Sequence, residues 1–180
     1  MPVYFAMLRG INVSGHKTIK MESLRTSFES LGFGDVKTYI QSGNIVFKTG
    51  PTSEAGLTRK IARKILADFG FDVPVLIRAK EELADVLKSN PLLERPGIDA
   101  AKLHVTFLAA AAPEEAEDIL KPLAGKSELF AVGRREIYLH CPDGYGDTRL
   151  SNGAIEKKLS VQATTRNWKT VNVLNTMAGG

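Results

Sequence analysis

One order of elements occurs twice along this chain, and it restricts the fold more than any single motif does. Val3 to Leu8 is a short apolar run ending at Arg9-Gly10, which reads as a buried strand. A polar loop from Gly10 to Lys20 follows. Met21, Leu24, Phe28 and Leu31 then recur at helical spacing, and Gly32 closes that helix. Val36, Thr38 and Ile40 begin a strand, Ser42-Gly43 is a two-residue turn signal, and Ile45-Val46-Phe47 returns. After Ser53, a side chain suited to capping, Leu57, Ile61, Ile65 or Leu66, and Phe69 mark a helix that ends at Gly70. Val73 to Ile77 is a fourth strand. Its Pro74 cannot donate to a ladder, which places the strand at a sheet edge.

The second half runs in the same order. Leu103 to Ala109 is a strand, and Pro113 with Glu114 and Glu115 opens a helix. Leu129–Val132 and Ile137–His140 flank the turn signal Gly133-Arg134, and Ser151 to Leu159 is helical. Val161 to Thr164 is the last strand. A C-terminal helix carries Trp168, Val171, Leu174 and Met177, capped by Thr164 or Thr165. Each half therefore reads β-α-β-β-α-β, the split βαβ unit. The expectation is an α+β chain with a duplicated ferredoxin-like fold, two such subdomains packed together. The first spans residues 1–78, a helical connector spans 79–102, and the second with its C-terminal helix spans 103–180. A single mixed sheet built from the same elements is the alternative. Each half is small enough to be marginal alone, so a shared interface is expected.

Charge follows this division. Residues 1–78 carry 11 Lys/Arg against 6 Asp/Glu, whereas residues 99–180 carry 10 of each. The basic excess thus belongs to the first part, and it points to anionic partners. No apolar run approaches the roughly 18 residues that span a bilayer, so no membrane association is expected. A single cysteine, Cys141, cannot make an internal disulfide, and Met1-Pro2-Val3-Tyr4 lacks a secretory pattern. A cytoplasmic location is the expectation.

Several segments carry a family likeness. LRGINVSGHK after the first strand, LGFGDVKTYIQSGNIVF, the strand HVTFL, and YLHCPDGYGDTRLSNGAIEKKLSVQATTRNWKTVNVL together resemble the bacterial family called domain of unknown function 1697. The resemblance covers about residues 3–175. Its most specific parts are R-G-I-N-V, the T-Y-I-Q-S-G-N hairpin and A-T-T-R-N-W. It implies a duplicated ferredoxin-like fold. It implies no activity, and so no catalytic residues to carry over.

Four segments are candidate sites. The first loop, Gly10 to Thr18, is one insertion away from a phosphate-binding G-x-x-x-x-G-K-[ST], and His16 breaks the register. Looser anion binding by Arg9, Lys17 and Lys20 is the expectation there, and Asn12, with Arg9, Tyr145 and Arg166, is a candidate for lining a cleft between subdomains. The Gly-rich loop from Pro142 to Arg149 leads into a helix N-terminus, and Tyr145 and Arg149 are its candidates. If the first and third strands of the unit run parallel, both residues lie beside the Ala110–Pro113 loop. Arg166 and Trp168 combine a cation with the only tryptophan, a pair suited to stacking on a base or ring. Core packing is the competing role for Trp168. Arg59, Lys60, Arg63 and Lys64 fall on one helix face, opposite Leu57, Ile61 and Ile65, within an acid-free stretch from residue 55 to 67. These four are the nucleic-acid-binding candidates.

Neither a metal site nor a cofactor is expected. His16, His104 and His140 are scattered without Cys/His ligand spacing, and no G-x-S-x-G elbow occurs. Three functions stay open at this level. The leading one is a non-enzymatic domain binding an anionic ligand, possibly nucleic acid. The second is an enzyme or sensor for a small phosphorylated or carboxylated metabolite held between subdomains. The third is a structural or assembly protein.

Overall fold

The computed structural model describes all residues, Met1–Gly180, and the chain divides into two compact units. One comprises Met1–Ala84 with Val173–Gly180, and the other comprises Asp85–Asn172. The architecture is α+β: two four-stranded antiparallel sheets and six α-helices.

In the first unit the elements are β1 (Val3–Leu8), α1 (Met21–Ser30), β2 (Gly34–Tyr39), β3 (Asn44–Lys48), α2 (Glu54–Phe69) and β4 (Val75–Ala79). The sheet order is β2-β3-β1-β4, so the strand after Pro74 does lie at an edge. Pleating sends Tyr4, Ala6 and Leu8 toward α1 and α2, where they meet Leu24, Phe28, Leu57, Ile61 and Ile65. Phe28, Phe33 and Phe47 centre this core, with ring centroids 4.6–5.9 Å apart.

α3 (Lys80–Lys88) leads into the second unit. That unit contains β5 (Leu103–Leu108), α4 (Ala116–Leu120), β6 (Leu129–Val132), β7 (Glu136–His140), α5 (Asn152–Leu159) and β8 (Ala163–Asn167), and α6 (Trp168–Met177) follows. Its sheet order is β6-β7-β5-β8. Leu108, Ile137, Leu139, Cys141 and Ala163 pack against Ala116, Leu120, Ile155 and Leu159.

Several boundaries differ from the pattern-based expectation. The first hairpin closes at Tyr39↔Asn44, leaving a four-residue turn Ile40–Gly43. Ile40 takes a left-handed φ of 51°, a costly conformation for a β-branched side chain, and is 50% exposed. Gly43 is required in that turn. Its φ is 83°, and a Cβ there would sit 2.8 Å from Leu8 Cβ and Ile11 Cδ1. α4 begins three residues after Pro113 and lasts five residues, because Pro122 ends it. β8 runs on to Asn167, whose Oδ1 accepts the Thr170 N–H at 2.8 Å. The cap of α6 is thus Asn167, and Thr164 and Thr165 are strand residues.

β5 and β7 pair antiparallel, as β1 and β3 do. The expected neighbourhood of Tyr145 and Arg149 is therefore wrong. The chain leaving β7 emerges where β5 begins, at the opposite end from Ala110–Pro113. Tyr145 accordingly stacks on His104, near the start of β5, with ring centroids 4.8 Å apart.

Candidate functional site

α2 places the four cations. Ser53 caps it by accepting the Gly56 N–H at 3.0 Å, and Gly70 ends it in a left-handed turn. Leu57, Ile61 and Ile65 are at most 2% exposed, which fixes the helix rotation and turns residues 59, 60, 63 and 64 outward. The result is an open groove of about 420 Å³ beside Leu31, lined by Arg59, Lys60, Arg63 and Lys64, with Gly56 and Ala67 as its small residues.

The four cations are held differently. Lys60 Nζ donates to the Leu31 carbonyl at 3.1 Å and lies 5.2 Å over the Phe33 ring. Lys64 Nζ pairs with Asp68 Oδ1 at 3.2 Å. The other Asp68 oxygen accepts from Ser27 Oγ at 2.5 Å, which ties α2 to α1. The Ser27 bond, with help from Lys64, keeps the Asp68 carboxyl below its ordinary pKa. Arg59 and Arg63 are exposed and make no ion pair or hydrogen bond. Two fixed ammonium groups and two free guanidinium groups thus face one groove, a set suited to phosphate oxygens.

Two of the first-loop candidates, Asn12 and Lys17, serve the fold. Asn12 Oδ1 accepts the Ile19 N–H at 2.8 Å, and its Nδ2 donates to Ile19 O and Gln41 O at 3.0 and 2.7 Å. That amide staples the loop to the hairpin turn. Lys17 Nζ donates to Asp72 O at 2.8 Å rather than folding over the loop. Arg9 is half-buried, its backbone N–H bonded to Pro74 O at 3.0 Å. Lys20 is exposed and precedes α1 without a side-chain capping bond.

In the second unit, Tyr145 Oη accepts the Asn152 N–H at 2.8 Å. Exposed Arg149 lines a separate cavity of about 380 Å³ with Asp143, Asp147 and Glu128, a mixed-charge setting. Arg166 is 9% exposed and lies in β8, its Nη1 donating to Thr164 Oγ1 at 2.7 Å and Thr165 O at 3.0 Å. Burial pulls its pKa down to about 10, which leaves it charged at neutral pH. Trp168 is 9% exposed, so its ring is a packing element rather than a stacking platform. Cys141 is buried, and burial pushes its thiol up to about 11, far from a nucleophile's range.

Two features escape a pattern-based reading. Thr106 Oγ1 and Thr165 Oγ1 are 2.7 Å apart, and Thr165 donates to Asn152 Oδ1 at 3.0 Å, while Asn152 Nδ2 reaches Ala163 O at 2.9 Å. The signal was present in β5, where His104 and Thr106 alternate inward with Leu108. Arg78 is the other. It is 1% exposed in β4, and nothing in V-L-I-R-A marks its arginine as interior.

A family model described as "Protein of unknown function (DUF1697)" matches residues 1–138. Among solved structures, the chain is similar to the conserved bacterial protein SP0830 from Streptococcus pneumoniae, with 25% identity, 98% of each chain covered and a TM-score of 0.74. No curated protein matches.

Proposed function

The chain belongs to the DUF1697 family of proteins of unknown function, which brings no activity with it, and we propose from the geometry that it is a non-enzymatic protein binding a phosphate-bearing polyanion, nucleic acid foremost, on the outer face of α2. The observation that carries this reading is the pair Arg59 and Arg63, exposed and unpaired one helical turn apart, beside the fixed ammonium groups of Lys60 and Lys64. Such cations release counterions from a phosphate chain, so binding weakens as salt rises. The same proposal reads each unit as one ferredoxin-like copy of a duplicated motif. Support comes from the matched sheet orders and from a strand register repeated at Phe5↔Arg78 and Val105↔Arg166.

Titrating labelled mixed DNA and RNA with the full chain over a salt series tests the function. Salt-dependent binding is expected, and Arg63→Glu should weaken it across all sequences and flatten the salt slope by about 1 or more. Binding unchanged by that substitution would remove the reading.

A further inference from the structure

We propose that the partner of this groove is the sugar-phosphate backbone of a nucleic-acid duplex, gripped by charge and without regard to base sequence; this rests on the reading of α2 just given. Proteins that hold single strands present aromatic faces on which unstacked bases lie. Here no aromatic side chain is fully exposed, and none lines the groove. Phe33, beneath Lys60, is 5% exposed, and Trp168 is buried.

Base readout by a helix requires it to enter a major groove about 12 Å wide. α2 does not stand alone, because the Ser27–Asp68 bond fastens α1 to its flank. With side chains each helix is about 10–12 Å across, so the pair rests on the rim and meets phosphates. The guanidinium-bearing positions 59 and 63 are separated by a rise of about 6 Å along a rigid helix. Cation-bearing positions at a fixed spacing suit a stiff polymer whose phosphates hold a regular spacing, as a duplex does over its persistence length. An anionic membrane fits less well. A surface-lying helix must bury its apolar face in lipid, whereas that of α2 is already spent on Leu57, Ile61 and Ile65 in the core.

Equilibrium binding of the full chain separates these cases. The probes are short duplexes of unrelated sequence, single strands of the same length, vesicles rich in anionic lipid, and inorganic polyphosphate. The expected result is indistinguishable affinity among duplexes and weaker binding to single strands and vesicles. Neutralising two to four phosphates gives a slope of log affinity on log salt of about −2 to −4. Arg59→Gln with Arg63→Gln should lower that slope by about 2. Preference for single strands, for one duplex sequence, for vesicles or for polyphosphate overturns the duplex inference while leaving the groove as a polyanion site. No binding to any probe, or an unchanged slope in the double variant, removes the groove reading as well. Both positions are exposed, so thermal unfolding of the variant should match the parent and exclude misfolding as the cause.

Discussion

β1 and β5 occupy the same place in sheets of the same strand order, and the units fill that place differently. The inward side chains of β1 are Tyr4, Ala6 and Leu8, and across the edge pair Ala6 faces Ile77. In β5 the corresponding residues are His104, Thr106 and Leu108, and Thr106 faces Thr165. The first unit completes its core with packed phenyl rings. The second completes its own with a chain of hydrogen bonds, Thr106 to Thr165 to Asn152, which anchors the start of α5 to β5 and β8. Packed rings carry no donor-acceptor pairing, whereas a hydrogen-bonded chain is satisfied only with each donor aimed at its acceptor, so the second unit gains definition more than strength. One element stays constant. Arg78 and Arg166 sit at matched register on buried sheet positions, and each donates from Nη1 to the carbonyl of the residue before it, at 2.9 and 3.0 Å.

The largest effect expected from disturbing this contrast is in the first unit. Phe47→Ala removes the ring that meets Tyr4, Phe28 and Phe33, and should cost about 3–5 kcal/mol in urea unfolding. A loss below about 1 kcal/mol would show that the ring cluster does not hold the unit together. In the second unit, Thr165→Val strands Thr106 and the Asn152 oxygen and should cost about 1–3 kcal/mol. Adding Thr106→Val imports the apolar solution of the first unit. The double variant should then be more stable than the sum of the singles by about 0.5–3 kcal/mol, and simple additivity would argue against a coupled chain.

The smallest effect is a pH dependence confined to the second unit. Burial holds His104 below its ordinary value of 6.5, so the unfolded chain binds the proton more readily than the folded one. The stability contributed by neutral His104 is thus present above pH 6.5 and is lost as pH falls through the lowered value. Asp35 and Asp68, both held below the ordinary 3.8, act only in a more acidic window. His104→Phe keeps a ring against Tyr145 and should flatten the urea midpoint between mildly acidic and neutral pH. An unflattened profile would place the dependence elsewhere.

Periodicity made most of the fold legible. The strands before Arg9 and Ala109 and the long α2 are apolar patterns bounded by strong caps and breakers, and local chemistry settles such elements. The left-handed φ of Ile40 was not legible, because the turn that contains it closes against Leu8 and Ile11, residues remote in sequence. The cap at Asn167 was hidden by two threonines with equal claim to it. Of the candidate site, the face carrying Arg59, Lys60, Arg63 and Lys64 follows from helix geometry. The Lys64–Asp68 pair also follows from i,i+4 spacing within α2, whereas the fixing of Lys60 does not, since Leu31 and Phe33 belong to other parts of the chain.

The separation of fixed lysines from free arginines has an entropic side. A long cation loses about 0.5–1.5 kcal/mol of rotamer freedom when a partner immobilises it. Lys60 and Lys64 are already ordered, on Leu31 O and Asp68, and each ammonium retains further donors. Under the proposed function, a polyanion settling on α2 would therefore bear the ordering cost of two side chains instead of four. On that reading Arg59 and Arg63, exposed and without a partner, would extend the reach of the face at first encounter, and the helix would divide its cations between capture and retention.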